Sequence, residues 1–592
     1  MEDYALIGDG RSAALVALDG SIDWLCLPNF DSGSVFGGLL DVERGGTFAL
    51  KPTVPFRSSR RYVPQTNVLE TTFDTDAGTV RLIDAMTLPD GQMPPMRELV
   101  REVTGVSGRV PLEWRAEPRF AYSTGVSRPE WRGIVPVATH GSEAVAFPSW
   151  DAGAPSWKDC AVGARFELEA GARALVSMTY AHGEPLVMPG RSALEQRLAD
   201  TVEFWTRWTR SRSYEGPWAE QVLRSALVLK ALIFAPSGAS VAAPTTSLPE
   251  EIKGERNWDY RFCWIRDSNF ATAALLNLRC YDEAESLFWW FMNATSLTKP
   301  RLHVLYDLDG GPSSVEHTLP LSGYRKSRPV RVGNSAVGQT QHDIYGCLFE
   351  TARLCSEGHR PLDPDIGEAF AEIADEVCAI WRKPDSGIWE VRNGPFHFTH
   401  SKVMCWVSLD RAVQLAERGE MPTRHIDDWR REAEAIRTYV DSECWSPRLR
   451  SYTRIANEDD VDASLLMLLF VGFDDPKSER LNRTIDAIQE RLRRGDFVYR
   501  YLADDGVHGG EGCFMNCSFW LVGALARAGR VDEASTLMNA LVARANDVGL
   551  YSEEVDPGTG AFLGNFPQAL VHLALIDAAI SIQKATTGVG RQ

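Results

Sequence analysis

Glutamates stand beside large aromatic side chains at two places in the sequence. Glu390 follows Trp389 directly. Glu553 and Glu554 come shortly after Tyr551. Hydrolysis of a glycosidic bond requires one carboxylic acid that protonates the leaving oxygen and one carboxylate that activates water or attacks the sugar. A single glutamate is more often a solvated surface residue, so the elements that position these side chains must distinguish the two interpretations.

A third segment, residues 256–267, mixes charged side chains with indoles. It contains Trp258, Trp264, Arg266 and Asp267. Flat aromatic area beside charge-assisted hydrogen-bonding groups suits a polar ligand with apolar faces, and a sugar above all. This segment alone leaves open a second interpretation, a buried aromatic turn tied by arginine–aspartate pairs.

The first part of the chain has the pattern of β-strands. Short β-rich runs, among them residues 68–73 and 79–83, are separated by Gly, Pro and Asp clusters. This pattern is typical of an antiparallel sandwich, and we predict an N-terminal β-sandwich domain over residues 1–193. An amphipathic segment follows, and we assign residues 194–216 to a linker helix.

Residues 217–592 show helical spacing and are predicted to form the catalytic domain. Twelve helices are predicted, at about 217–235, 268–278, 281–296, 341–355, 364–383, 399–419, 423–443, 459–473, 478–494, 517–530, 531–546 and 565–586. Polar and aromatic loops precede every second helix. Six helical hairpins closing into a ring would bring these loops to one end, around one pocket. An open stack would need a sequence repeat, which we do not find, so an (α/α)6 barrel fits better.

Other polar motifs in these loops have weaker claims to function. His342 begins the fourth predicted helix, where it could line the pocket or act as a cap. His397 and His400 lack a third ligand at metal-like spacing, so no metal is predicted. The glycine-rich residues 333–338 are followed by no Lys-Ser/Thr pair, so nucleotide binding is unsupported. We predict no cofactor.

Composition restricts the partners and the compartment. A net charge of −18 argues against nucleic acid and anionic membranes, which need a basic footprint. No run reaches the roughly 18 apolar residues of a membrane span, and residues 1–9 show no secretory signal. The eleven scattered cysteines suggest reduced core residues. We therefore expect a cytoplasmic protein whose partner is a small neutral carbohydrate.

Nine short motifs are distributed along nearly the whole chain: Ile7-Gly-Asp-Gly-Arg11, Gly20-Ser-Ile-Asp-Trp-Leu25, Trp264-Ile-Arg-Asp267, Trp389-Glu-Val-Arg-Asn-Gly394, Ser401-Lys-Val-Met-Cys-Trp406, Glu511-Gly-Cys-Phe514, Cys517-Ser-Phe-Trp520, Ser552-Glu-Glu554 and Leu563-Gly-Asn-Phe-Pro-Gln568. With these motifs the sequence resembles glycoside hydrolase family 15, the inverting glucoamylase, glucodextranase and trehalase family. Prokaryotic members of that family have an N-terminal β-sandwich followed by an (α/α)6 barrel, which agrees with the domains predicted above.

The resemblance implies a role for each matching residue. Glu390 would be the general acid and Glu553 the general base, while Arg266 and Asp267 would hold the hydroxyls of the terminal glucose. An inverting enzyme needs room for water, so we expect the two carboxyl groups to lie about 6.5–9.5 Å apart. The other predicted substrate-binding residues are pocket aromatics and polar neighbours: Trp258, Trp264, Trp389, Glu554 and His342.

One departure from the family pattern bears on the substrate. Fungal glucoamylases carry a second carboxylate directly after the acid, where this sequence has Val391. That carboxylate serves the leaving-group subsite, so its loss favours a small α-glucoside. Trehalose is the first expectation, and malto- or isomalto-oligosaccharides are the second. A disaccharide phosphorylase and a non-catalytic carbohydrate-binding protein are further alternatives, which the presence of both glutamates disfavours.

Overall fold

The computed structural model describes residues 1–88, 97–212, 214–312, 315–358 and 361–587. Its N-terminal part is a 16-stranded sheet with antiparallel pairing throughout. The strands are β1 (Tyr4–Gly8), β2 (Ala13–Ala17), β3 (Ser21–Cys26), β4 (Ser34–Phe36), β5 (Phe48–Pro52), β6 (Phe56–Tyr62), β7 (Leu69–Thr75), β8 (Gly78–Met86), β9 (Arg97–Ala116), β10 (Arg128–Arg132), β11 (Val135–His140), β12 (Glu143–Ala146), β13 (Ser149–Trp150), β14 (Ser156–Lys158), β15 (Ala161–Glu169) and β16 (Arg173–His182).

The twenty-residue strand β9 joins the two layers of this domain. Its first part pairs with β8 and β16, and its last part pairs with β5 and β15. Alternate residues of β7 are buried, as expected for a strand with one face on a core. The predicted antiparallel sandwich is therefore confirmed.

The second part of the chain is helical. Its helices are α1 (Arg191–Arg210), α2 (Ala219–Leu232), α3 (Ile265–Asn277), α4 (Tyr281–Ser296), α5 (Asp343–Gly358), α6 (Pro364–Ile380), α7 (Thr399–Glu417), α8 (Ile426–Glu443), α9 (Glu479–Leu492), α10 (Met515–Arg527), α11 (Val531–Val542) and α12 (Ala569–Thr587), with a 3-10 helix at Ala463–Leu469. Helix α1 overlaps the predicted linker and begins three residues before residue 194, and the bounds drawn at residues 193 and 216 stay predictions.

An inner ring of helices closes on itself. Its order is α3, α5, α7, the 3-10 helix, α10 and α12, and α12 contacts α3 again. The helices α2, α4, α6, α8, α9 and α11 pack against the outside of this ring. The inner members are the helices predicted to follow the six polar loops, so the (α/α)6 barrel is confirmed.

Burial explains which helices are inside. Nearly every residue of α10 is buried, whereas the outer α8 buries only a stripe at Trp429, Ala433, Ile436 and Val440. A helix that is apolar on all sides needs neighbours all around, while an amphipathic one needs a single packed face. By length and composition α12 alone among the described helices is apolar enough to cross a membrane, but 72% of that window is buried within the protein.

One predicted helix has a different form. The eighth, expected at 459–473, is an α-helix nowhere and contains the 3-10 helix instead. Asp462 precedes it in an extended conformation and accepts hydrogen bonds from Ser464 Oγ (2.7 Å) and Trp389 Nε1 (2.8 Å). Because all seven residues of the 3-10 helix are buried, packing around the pocket overrides the apolar pattern from which an α-helix was predicted.

Short ladders stiffen the long connections of the barrel. They are formed by β17 (Thr246–Pro249), β18 (Asn257–Asp259), β19 (Cys263–Trp264), β20 (Leu305–Tyr306), β21 (His317–Leu319), β22 (Val330–Val332), β23 (Trp445–Ser446), β24 (Ser451–Tyr452), β25 (Arg493–Arg494), β26 (Phe497–Val498), β27 (Cys513–Phe514), β28 (Glu554–Val555) and β29 (Phe562–Leu563). Residues that precede α3, α10 and α12 thus sit on paired backbone.

The N-terminal domain is tied to the first of these connections. Arg261 and Asp259 form a fully buried ion pair of 2.7 Å. Arg261 also donates to the carbonyl of Ser32 (2.9 Å) in the β3–β4 loop, and Trp24 Nε1 donates to the carbonyl of Pro244 (2.8 Å). Arg261 and Asp259 therefore order the loop and fix it to the β domain.

Candidate active site

A pocket of about 840 Å3 lies where the inner helices begin. It is lined by Ala242, Arg256, Trp258, Tyr260, Trp264, Arg266, Asp267, Asn334, Ala336, Gln339, Ile388, Trp389, Glu390, Arg392, Arg500, Tyr501, Asp505, Val507, Phe514, Trp520, Gln568 and Leu570. Six of the nine predicted site residues are in this lining, and the other three, Glu553, Glu554 and His342, are not. Helix N-termini also carry partial positive charge, which suits bound hydroxyls and carboxylates.

Glu390 sits on a tight turn at the pocket. Its φ is +60°, a left-handed conformation that side-chain-bearing residues rarely adopt and that tends to occur at functional sites. Gln339 Nε2 holds its carbonyl (3.0 Å), and Trp264 Nε1 donates to its carboxylate Oε1 (2.9 Å). The Glu390 side chain keeps 24% exposure, so the carboxyl is oriented by protein donors yet open to a ligand.

Arg266 is surrounded by carboxylates on the first turn of α3. Its guanidinium lies 3.4 Å from Asp267, 3.7 Å from Glu390 and 4.0 Å from Asp343. It also donates to the carbonyl of Ile388 (2.9 Å), in the turn that carries Glu390. Arg266 therefore places Asp267 and Glu390 on one side of the pocket with complementary charge.

Glu553 directly precedes β28, the middle strand of the small sheet formed by β27, β28 and β29. Its carboxyl accepts hydrogen bonds from the Tyr260 hydroxyl (2.7 Å) and from the backbone N–H of Asn565 (3.0 Å). A Cβ on Gly564, whose φ is +70°, would fall 2.7 Å from the Cβ of Glu553, so only glycine fits there. Burial, reinforced by the nearby Glu250, raises the pKa of Glu553 to about 8.

Two aromatic rings connect the two glutamates. The Tyr260 and Trp264 rings meet edge to face with centroids 5.5 Å apart. Tyr260 bonds to Glu553 and Trp264 bonds to Glu390. The structure therefore brings the predicted acid and base to the same pair of pocket aromatics, from positions 163 residues apart in the chain (553 minus 390). The expected separation of the carboxyl groups stays a prediction.

Glu554 lies behind the pocket lining, beside Arg500. Adjacent residues of a strand point to opposite faces, so Glu554 turns away from the Tyr260 side and is absent from the pocket lining. It accepts from the N–H of Gly512 (2.7 Å) and lies 3.8 Å from Arg500. Burial and the neighbouring Glu250 raise its pKa well above the ordinary value. These contacts support the structure behind the pocket, and the predicted role of Glu554 in substrate binding stays a prediction.

Glu554 belongs to an acidic cluster centred on an arginine. Ligand atoms of Glu250, Glu511 and Glu554 lie within 4.8 Å of one another, a spacing that a cation could also use. The Arg500 guanidinium occupies this centre, at 2.7 Å from both Glu250 and Glu511. Arg500 thus supplies the compensating positive charge, and the prediction of no metal stays a prediction.

His342 is also placed away from the pocket lining. His342 directly precedes α5, and its side chain is buried. Its backbone N–H donates to the carboxylate of Asp385 (2.8 Å). Burial, together with Lys402 nearby, lowers the pKa of His342 to about 4, so the ring is neutral near pH 7. Of the two roles considered for His342, the structure favours the one in helix-start packing.

Trp389 and Trp258 line different parts of the pocket. Trp389 is buried against Trp520 and Phe514 with ring centroids 6.1 and 6.0 Å apart. Trp258 is half-buried, and its indole N–H donates to Glu250 (3.0 Å). Trp389 therefore forms the apolar floor, whereas Trp258 contributes an aromatic face nearer to solvent.

The sequence-based predictions left out several polar residues of this site, among them Tyr260, Arg500 and Asp505. Tyr260 stands inside the segment 256–267 but was not singled out, although its placement between Trp258 and Trp264 was a usable signal. Arg500 and Asp505 follow a predicted helix and carried no pattern. Asp505 forms a two-point ion pair with Arg256 (2.8 Å for each bond), a contact that only the closed ring creates.

A β-sandwich joined to an (α/α)6 barrel, with two glutamates bonded to neighbouring pocket aromatics, is the arrangement expected of a glycoside hydrolase. Residues 216–580 match the model for glycosyl hydrolases family 15, and residues 1–134 match the model described as trehalase-like, N-terminal. The chain belongs to glycosyl hydrolase family 15.

Relatives of known name match almost the whole chain. It is 36% identical to a trehalase of Mycobacterium tuberculosis, over 98% of this chain and 89% of that protein. It is 34% identical to a trehalase of Thermoplasma acidophilum, over 96% of this chain and 98% of that protein. The fold is also that of a bacterial glucoamylase solved in complex with acarbose, with a TM-score of 0.73, 14% identity, and coverage of 99% of this chain and 94% of the other.

Proposed function

We propose that this enzyme hydrolyses trehalose with inversion, with Glu390 as general acid and Glu553 as general base. The observation that carries the proposal is the convergence of Glu390 and Glu553 on the Trp264–Tyr260 pair. Two relatives named trehalase, 36% and 34% identical over nearly the full chain, support trehalose as the substrate.

In the proposed reaction, Arg266 and Asp267 bind hydroxyls of the first glucose against the floor formed by Trp389. Glu390 donates its proton to the glycosidic oxygen, and that bond breaks as a water attacks the anomeric carbon from the opposite face. Glu553 accepts a proton from this water. The products are one β-glucose and one α-glucose, because only the attacked centre inverts.

The surroundings of Glu553 favour water over phosphate as the attacking group. Four carboxyl groups, those of the buried Glu250, Glu553 and Glu554 and of the half-buried Glu511, lie near only two guanidinium groups, those of Arg500 and Arg256. A phosphate anion at this place would meet like charge in a poorly solvated environment. Hydrolysis is therefore preferred to phosphorolysis.

All eleven cysteines are free, which supports a reducing compartment, and we expect the cytoplasm.

Proton NMR of the first products formed tests the mechanism and the substrate together. With trehalose in phosphate-free buffer, we expect equal initial amounts of α- and β-glucose. Initial release of α-glucose alone contradicts inversion, and a requirement for phosphate with formation of a sugar phosphate contradicts hydrolysis. Parallel assays on maltose, isomaltose and malto-oligosaccharides test trehalose against the oligosaccharide alternative.

A further inference from the structure

Burial divides the pocket into a floor and a rim. The floor residues Trp264, Trp389 and Phe514 are buried. At the rim, Trp258 is half-buried and Arg392 is exposed. When the terminal sugar unit of a substrate lies on the floor, the following units extend past the rim. The rim residues therefore decide how many sugar units can bind.

Arg392 crosses this rim from one loop to another. Its backbone N–H donates to the carbonyl of Asp505 (2.7 Å), which anchors the residue to the loop before α10. Its guanidinium donates to Ser335 Oγ (2.9 Å) and lies 4.5 Å from the centroid of the Trp258 ring. Through its backbone and its side chain together, Arg392 therefore connects the loop of Asp505 to the loops that carry Trp258 and Ser335.

Arg392 is also close to the reacting bond. It follows Glu390 by two residues, and two residues span at most about 7 Å of extended chain. The leaving sugar must contact Glu390, because Glu390 protonates the oxygen of that sugar. Arg392 thus stands beside the leaving sugar, on the exposed side toward which any longer substrate would extend.

We propose that Arg392 is a specificity-determining residue that limits the pocket to two sugar units and so excludes longer α-glucans. This inference rests on the proposed function for the location of the leaving sugar, and adds what ends the pocket beyond it. The guanidinium fills the path of a third unit and offers planar hydrogen-bonding donors to the second.

Arg331 provides a matched control on the same indole. Its guanidinium carbon lies 4.6 Å from the Trp258 ring centroid, almost the same distance as that of Arg392. Arg331 bonds instead to the carbonyl of Asn257 (2.9 Å) and pairs with Glu316 (3.1 Å), and it is not part of the pocket lining. Removing Arg331 therefore disturbs Trp258 without opening the rim.

The test compares Arg392→Ala and Arg331→Ala with the parent enzyme on maltose, maltotriose and maltohexaose. For Arg392→Ala we expect the ratio of kcat/KM for maltohexaose to that for maltose to rise by about tenfold or more. For Arg331→Ala we expect the parent ratio. A thermal unfolding scan of each variant checks that the fold is retained.

Several results would overturn the proposal. One is a parent-like ratio in Arg392→Ala, including no detectable turnover of maltohexaose, and another is an equal rise in both variants. A parent enzyme that cleaves maltohexaose as readily as maltose also contradicts the length limit, while leaving the hydrolase mechanism intact. Failure of the proposed function appears separately, as a wrong product anomer or as trehalose being a poorer substrate than maltose.

Discussion

The acid side and the base side of the pocket are built differently. Glu390 stands on a left-handed turn with a partly exposed carboxyl, next to the cationic Arg266. Glu553 is fully buried at the start of a short sheet, next to Tyr260 and an acidic cluster. Two side chains of the same type thus receive opposite electrostatic surroundings. Burial among acids favours the protonated form of Glu553, so its proposed role as base depends on the hydrogen bonds from Tyr260 and Asn565, which favour the ionised carboxylate.

Replacing each glutamate by glutamine is expected to give the largest effect. Glu390→Gln and Glu553→Gln should each lower kcat on trehalose by about 10²–10⁴-fold, because each removes one proton-transfer group. KM should change little, since Arg266 and Asp267, the residues proposed to bind the sugar, are retained. Steady-state kinetics on trehalose measure both values.

A substrate with a good leaving group distinguishes the two sides. α-Glucosyl fluoride needs little protonation of its leaving atom, so Glu390→Gln should recover much of its rate on this substrate while Glu553→Gln should not. The reverse pattern would exchange the assigned roles. Parent-like turnover by both variants would reject both assignments.

Changing the cation on the acid side is expected to have an intermediate effect. Arg266→Lys keeps the charge but loses the planar fork that reaches Ile388, Asp267 and Glu390 together. Loss of one or two hydrogen bonds to charged groups should lower kcat/KM for trehalose by about 10–100-fold. Arg431→Lys, at an exposed ion pair on α8, should leave kcat/KM unchanged. Equal values for both variants would contradict the role of Arg266.

The smallest expected effect is a pH shift on the base side. The Tyr260 hydroxyl stabilises ionised Glu553, so Tyr260→Phe should raise the pKa of Glu553 further. Because the proposed base must be ionised, we expect activity to be lost as pH falls through this pKa. The acidic limb of the kcat/KM profile should therefore move to higher pH, by about one to two units.

The matched variant for this pH shift is Trp264→Phe. It removes a donor on the Glu390 side, so it should lower kcat while leaving the acidic limb in place. If both variants move the acidic limb equally, Tyr260 does not tune Glu553 specifically. In the parent enzyme, burial raises the pKa of Glu553, so we expect the acidic limb to lie above the ordinary range for glutamate.

The periodicity of apolar residues and the placement of polar loops were enough to predict the architecture from the sequence. The change from strand-like to helical spacing marked the two domains, and polar loops before alternate helices identified the inner ring, because inner helices must begin where the pocket lies. The same regularity misassigned the segment at 459–473, since the apolar run Ala463–Leu469 is buried by packing and not by an amphipathic face. The local pattern of apolar residues does not distinguish burial on all sides from an amphipathic face.

The sequence by itself supplied the residue types for sugar chemistry and the motifs that carried the family resemblance. Only the tertiary structure decided that Glu553 bonds to the pocket residue Tyr260 while Glu554 turns to Arg500, because the faces of a strand are defined by what packs on each. It alone also brought Arg392 of one loop onto Trp258 of another. Such contacts depend on ring closure between segments more than a hundred residues apart, which spacing along the chain does not encode.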